Sequence, residues 1–286
     1  MPRPTRSVII TGDDFGYSRG VNRAIIEAHE AGVLTGASLM VAGDAFEEAL
    51  SLANRHPRLA VGLHLVLVSG RSALSPARVP HLVNREGRFS TQPVWAGLRY
   101  QLHPLVRREL RAEIRAQLEK FRRTGLTLSH VDGHRNMHLP PVVLKILLEL
   151  AQEFGIRAIR LPAEELGIAL ALDPRGWLEK AALAWVFHGV RLLYAKRLLA
   201  SAGIAFTDRV YGLLQSGRMS ERYLLGLIQR IRAGRVEIYS HVTTEGDAIS
   251  SNHNGCATRA QLDALLSPRV REGLRVQGFR LATYQE

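Results

Sequence analysis

Two adjacent carboxylates, Asp13 and Asp14, close a short apolar run, Ser7-Val-Ile-Ile-Thr-Gly, near the start of the chain. Acids at the exit of a buried strand are costly unless a metal, a cation or a reaction needs them. Adjacent residues leaving a strand point different ways, so the pair can divide its duties, one on a metal and one free as a base. A second signal is His130-Val-Asp132-Gly-His134, with His138 four residues further on. Neutral imidazoles paired with a carboxylate suit a divalent cation. His64 interrupts another apolar run, Arg160 ends a further one and His241 follows a last one. Each taken alone has an ordinary explanation: a helix cap, a hydrogen-bonded turn, a satisfied core histidine. Together they point to a metal held by one Asp and two His.

Such residues act jointly only if the chain gathers them. The run before Asp13 reads as a buried strand, and Ser18 can cap the helix that follows, with Val21, Ala24, Ile25 and Ala28 on one face and Gly32 as its stop. Thr35 to Val41 and Leu59 to Leu67 read as the second and third strands. The stretch 69–103 is Pro-, Gly- and Arg-containing with weak patterning, and is expected to be a long loop acting as a lid. Pro104 opens an amphipathic helix with Val106, Leu110, Ile114, Leu118 and Phe121 on one face and five arginines on the other. The fourth strand falls in the first half of Leu126 to Pro141, after which two prolines open a helix. Gly155 to Pro162 and Ile204 to Phe206 are expected as the fifth and sixth strands, Val236 to His241 as the seventh and Gly278 to Tyr284 as the last. Residues 163–203 read as largely helical. Continuous apolar strands separated by helices predict a parallel sheet covered on both faces. The expected fold is therefore α/β, a distorted, TIM-like β/α barrel forming one domain over residues 1–286, whose strand ends meet at one mouth.

The chain of 286 residues carries a formal charge of +12, which favours anionic surroundings. Its basic residues are spread along the chain with no nucleic-acid motif, so nucleic acid is not an expected partner. The single cysteine, Cys256, excludes an intramolecular disulfide and fits a reducing, cytoplasmic compartment. With the first strand expected within ten residues of Met1, a signal peptide is not expected.

Thr-Gly-Asp-Asp-Phe-Gly, Val-Gly-Leu-His-Leu-Val-Leu and Ser-His-Val-Asp-Gly-His-Arg-Asn-Met-His resemble, in order and separation, the motifs of the YdjC-like carbohydrate deacetylases. Within that family, Ala37 to Gly43, Gly62 to Val68 and Phe206 to Gly212 look like the branch associated with hopanoid biosynthesis. The resemblance implies a β/α barrel that uses one divalent metal to remove N-acetyl groups from amino sugars. It implies Asp14, His64 and His134 as metal ligands, Asp13 as catalytic base and His241 as general acid. Arg160, able to hold Asp13 ionised or to contact substrate, is grouped with Asp132 and His138 as candidate substrate-binding residues. Asp-His-His ligation suits Zn²⁺ by softness and leaves Mg²⁺ open. The family usually follows the last histidine with Pro-Gly; this chain has Val242-Thr243. Arg135 and Asn136 stand where relatives often carry further histidines.

Residues 163–203 also form a basic amphipathic segment, rich in Trp, Leu and Tyr between Trp177 and Leu199 and with ten residues, Ala181 to Val190, free of Lys, Arg, Asp and Glu. That is short of the roughly 20 needed to span a bilayer, but such a segment can lie in the headgroup plane. The expected partners are accordingly a lipid-linked amino sugar and the anionic inner face of the membrane, with a homodimer left open. The rival readings are a deacetylase of soluble chito-oligosaccharides, a metal-dependent phosphoesterase and a non-catalytic basic membrane-binding protein.

Overall fold

The computed structural model describes residues 6–244 and 258–286; Cys256 lies outside them. Strand β1 (Arg6–Phe15) is central. Val8, Ile9 and Ile10 have no more than 2% of their surface exposed, as expected for a strand covered on both faces. One edge of β1 pairs with β6 (Arg235–Ser240). The other edge is shared: β7 (Phe279–Ala282) lies along its N-terminal half and β2 (Gly36–Leu39) along its C-terminal half. Strands β3 (Ala60–Leu65) and β4 (Val131–Gly133) continue outward from β2, and β5 (Arg209–Tyr211) follows β6, every pairing being parallel. Single parallel bridges, Val131 to Ile159 and Ala158 to Ala205, carry the ring from β4 towards the segment that leads into β5. The result is a distorted β/α barrel.

Helix starts follow local chemistry. Ser18 Oγ accepts from the Val21 N–H to cap α1 (Arg19–Glu30). Prolines occupy the first turns of α4 (Pro104–Arg123) and α5 (Pro141–Phe154), where no N–H is missed. Gly155 ends α5 at φ 67, a left-handed cap open to glycine without a Cβ penalty. Helix α2 (Phe46–Arg55) follows β2. After β5 come α9 (Glu221–Arg230) and, past β6, α10 (Arg259–Leu266) and α11 (Pro268–Val276).

Several expectations need correction. The fifth and sixth strands reduce to bridges at Ala158, Ile159 and Ala205, because each segment offers only two or three residues before a charge or a turn. Regular pairing in the fourth is confined to Val131–Gly133, and β5 was not anticipated. The stretch 69–103 is more ordered than a patternless loop. It holds antiparallel bridges at Arg71–Arg88 and Val83–Phe89, then α3 (Pro93–Leu102). The buried Glu113 carboxylate on α4 pins it by accepting from the Ala73 and Leu74 N–H groups at 2.7 and 3.0 Å.

Residues 163–203 contain α6 (Leu166–Leu172), then α7 (Trp177–Val190), a π-turn at Arg191–Ala195 and α8 (Lys196–Ser201), which run on without a break. Among the described residues no helix is long and apolar enough to cross a membrane.

Candidate metal centre and active site

The C-terminal end of β1 is irregular by design of its sequence. Its register with β2 shifts between Gly12 and Phe15, and Asp14 sits at φ 65, in the left-handed region. A bulge re-aims side chains at a strand end, and here it sends the two neighbouring acids to different partners. Arg135 and Asn136, immediately after His134, also have positive φ, at 52 and 56. Left-handed non-glycine backbone is costly and collects at functional sites; of the described non-glycine residues with positive φ, only Ser69 lies elsewhere.

Asp14, His64 from β3 and His134 from the turn after β4 meet at one point. Their candidate ligand atoms all lie within 4.8 Å of one another. Asp14 Oδ1 is 3.0 Å from His134 Nδ1 and 3.2 Å from His64 Nε2. All three residues are at most 5% exposed. The other ring nitrogen of His64, Nδ1, faces Asp132 Oδ1 at 2.9 Å. A carboxylate is only an acceptor when ionised, so Nδ1 carries the hydrogen and Nε2 presents a lone pair. That Nε2 is buried and has no hydrogen-bond partner among the described residues.

A lone pair facing a carboxylate oxygen across 3.2 Å requires positive charge between them. Either a proton or a divalent cation supplies it, and the Asp-His-His donor set with its orienting second carboxylate fits the cation. Without a cation the charges act on each other. Burial opposes ionisation of Asp14, yet His134 and His64 hold its carboxyl well below the usual range. Burial likewise opposes charge on His64, but Asp132, Asp14 and Asp13 raise its imidazole well above the ordinary value.

Below this point lies a network organised by Arg160, which is 1% exposed. Its Nη1 and Nη2 donate to Asp13 Oδ2 and Oδ1 at 2.6 and 2.8 Å, a bidentate pair. Nη1 also reaches Asp132 Oδ2 at 2.6 Å, and Nε and Nη2 donate to Glu237. Every N–H of the guanidinium is thus directed at a carboxylate, leaving no donor for a substrate. Asp132 is fully buried and bonded to His64, Arg160 and the Ser38 hydroxyl at 2.9 Å. His138, also fully buried, pairs its Nε2 with the Arg160 carbonyl at 2.9 Å. Burial pushes its pKa down to about 4, so it is neutral and donates that bond. The three residues expected around the substrate therefore lie beneath the site, where they hold other groups in place. Three buried carboxylates, Asp13, Asp132 and Glu237, face one guanidinium, and a fourth, Asp14, meets only imidazoles. The shortage of positive charge is the site's main electrostatic feature.

His241 follows β6 and is half-buried, its ring 5.8 Å from that of Tyr239. Burial lowers its pKa below the ordinary imidazole value, an effect opposed by Asp14 and Asp13. Gln261 clamps its backbone, donating to the His241 carbonyl at 2.6 Å, and the Thr258 N–H donates to the same oxygen. Val242, the next residue, is fully buried and bridges Thr258. A strand-like bridge thus fixes the residues on either side of the peptide that leaves His241.

Glu237, Ser38, Gln261 and Tyr284 escaped the sequence reading. Glu237 carried a signal, an acid alone in the apolar run Val236-Glu-Ile-Tyr-Ser. It accepts from Arg160, from Thr11 Oγ1 at 2.8 Å and from the Tyr284 hydroxyl. Gly62 is required because a Cβ there would come within 2.5 Å of the His130 ring, which stacks on Tyr284 at 4.7 Å.

The YdjC-like protein family model matches residues 7–276. A carbohydrate deacetylase of Geobacillus stearothermophilus is 33% identical over 284 residues, 98% of each chain. One of Brevibacillus brevis is 45% identical over 151 residues, 52% of this chain and 57% of that relative's length. Among solved structures, an Enterococcus faecalis protein described as a proposed cellobiose-phosphate cleavage protein superposes with TM-score 0.72 at 25% identity, covering 98% of both chains.

Proposed function

The chain belongs to the YdjC-like family, and on that footing we propose that it is a divalent-metal-dependent hydrolase removing the acetyl group from an N-acetylglucosaminyl unit carried on a hopanoid-type lipid. Carbohydrate N-deacetylation is its reaction class. The observation that supports metal dependence most directly is the buried, partnerless His64 Nε2 turned towards Asp14, with His134 beside it.

Asp14, His64 and His134 would hold the cation, with Zn²⁺ favoured by the two imidazoles. When bound, such an ion supplies Lewis acidity, acidifying water and polarising a carbonyl. Asp13 takes the proton of the water that attacks the acetyl carbon. Arg160 fixes that carboxylate in orientation through two bonds, so its remaining lone pairs are aimed before substrate arrives. Asp132 keeps the His64 hydrogen on Nδ1. His241 gives a proton to the amine as the C–N bond breaks, releasing acetate and the free amino sugar. In this reading residues 69–103 cover one side of the mouth as a lid, within a single domain, and 163–203 flank another.

The lipid assignment draws on the net charge of +12 and on exposed apolar side chains on α3 and α7. A soluble chito-oligosaccharide is the second reading, favoured by relatives whose names specify only a carbohydrate. Mass spectrometry of an acetylglucosaminyl lipid decides: loss of one acetyl group, abolished by chelator and restored by added metal, is expected. Equal acetate release from water-soluble oligosaccharides would favour the second reading, and no acetate from either substrate would overturn both.

A further inference from the structure

We infer that α3 and the α7–α8 run together form one surface that seats the barrel mouth on an anionic lipid bilayer. Of the twelve large hydrophobic residues that stand exposed among the described residues, all but Val276 belong to two stretches, 94–105 and 177–193. The chain has only three tryptophans, and each is here: Trp95, Trp177 and Trp185 are 72%, 57% and 80% exposed. On α3, Trp95, Leu98 and Leu102 follow at i, i+3 and i+7, one helix face. On the α7–π–α8 run, Leu178, Trp185 and Leu192 recur every seven residues along the outside. Isolated exposed hydrophobics mean little, whereas clustered ones mark a contact surface.

The two elements are far apart in sequence and meet the same short segment. Gly97 of α3 faces Pro140, and the α3 residue Gln101 accepts from the Val142 N–H at 3.2 Å. From the π-turn, Tyr194 donates its hydroxyl hydrogen to the Leu139 carbonyl at 2.7 Å. Leu139 and Pro140 directly follow the turn that carries His134 and His138. The apolar surface therefore borders the mouth.

Charge chooses the occupant. Residues 93–108 contain no acid, and neither do residues 180–207. Arg99, Arg107 and Arg108 on the first stretch, and Lys196 and Arg197 on the second, are exposed. A second copy of the chain would oppose these cations with cations, while anionic headgroups neutralise them. Tryptophans with cationic neighbours sit at headgroup depth, and no described helix is suited to crossing the membrane. The inference rests on the lipid-borne substrate reading only for the direction in which the mouth faces.

Because every tryptophan lies on the proposed surface, intrinsic emission reports the contact directly. The full chain is titrated with vesicles of phosphatidylcholine, with and without phosphatidylglycerol. A blue shift on the anionic vesicles, reversed by salt, is expected. Replacing Trp177 and Trp185 by Ser should weaken partitioning about tenfold, and Lys196→Glu with Arg197→Glu should remove the preference for anionic lipid. Both variants should keep the wild-type rate of acetate release from a water-soluble N-acetylglucosaminide, which also shows that they fold. Emission unmoved by anionic vesicles at low salt would overturn the inference. So would a blue shift that follows protein concentration alone, with a doubled mass in sedimentation, since the surface would then cover a second copy. Vesicle binding without acetate release from any substrate sinks the catalytic reading and leaves this surface standing.

Discussion

The barrel centre and the helical run along its flank depart from ordinary sorting of polar and apolar groups in opposite directions. At the centre Asp13, Asp14, His64, Asp132, His134, Arg160 and Glu237 are all at most 5% exposed. On the flank Trp185 and Leu193 are 80% and 83% exposed. Two buried long cations, Arg160 at the centre and Lys180 on the flank, are used differently. Arg160 answers three carboxylates. Lys180, 2% exposed beneath α7, donates to the Asp173 carbonyl at 2.6 Å and the Gln215 amide oxygen at 2.8 Å, with the Asp173 carboxylate only at 4.0 Å. The first cation sustains a concentration of negative charge beside the proposed metal site; the second anchors a helix whose outer face is turned to something else. Buried charge in this fold thus serves two ends, and the partners tell them apart.

The sharpest way to break that contrast is to remove the charge shortage at the centre. Asp14→Asn should lower deacetylation about 10³-fold or more, since it removes the charge of the proposed ligand on which both imidazoles converge. Metal content by mass spectrometry should fall with it while the fold persists. Next in size is the comparison of the two cations. Arg160→Met strands three buried carboxylates and should cost about 3–5 kcal/mol in denaturant unfolding. Lys180→Met leaves only a carbonyl and an amide oxygen without their donor and should cost about 1–3 kcal/mol. Equal losses would mean that the two networks are energetically alike and the distinction drawn between them is empty.

Much of the centre was legible because polar residues interrupt apolar runs: Asp13 and Asp14 end one, His64 breaks another and His241 ends a third. A barrel then gathers strand ends whatever their separation in sequence. Ser38 was not legible, for its partner Asp132 is 94 residues away and nothing local marks a buried hydroxyl. The same holds for Gln261, which reaches back 20 residues to His241. Helix α3 was missed for a related reason. Trp95, Leu98 and Leu102 point outward, so its period carries no inward apolar face of the kind that identifies a packed helix. Strand β5 has three residues and too little pattern to read.

A smaller effect tests how the centre is aimed. Asp132→Asn retains an acceptor for His64 Nδ1 but removes the charge that fixes its hydrogen and balances Arg160. Metal affinity should fall about 10–100-fold, with stability lowered less than by Arg160→Met. An unchanged affinity would detach the lower network from Asp14, His64 and His134 above it.

A pH-dependent effect lies on the border between the regions, at Glu164. Its Oε2 accepts from the Gly212 and Leu214 N–H groups at 3.1 and 2.9 Å, while Oε1 has no partner among the described residues. Burial pushes its pKa up from 4.5 to about 7, opposed only in part by those N–H groups and by Lys180. The folded state therefore holds a proton that the unfolded chain has already released. Its contribution to stability is complete below about pH 4.5 and is lost as pH rises through about 7. The slope from this one group is at most about 1.4 kcal/mol per pH unit. Glu164→Gln cannot ionise, so its unfolding free energy should be flatter across that window and should exceed the wild type's above it. Thermal unfolding from pH 4 to 8 reads the difference. At the centre each carboxylate is met by Arg160 or an imidazole, whereas Glu164 ionises with Lys180 committed elsewhere. A slope identical in the variant would show that burial without a matched cation is not what separates this border residue from the acids of the site.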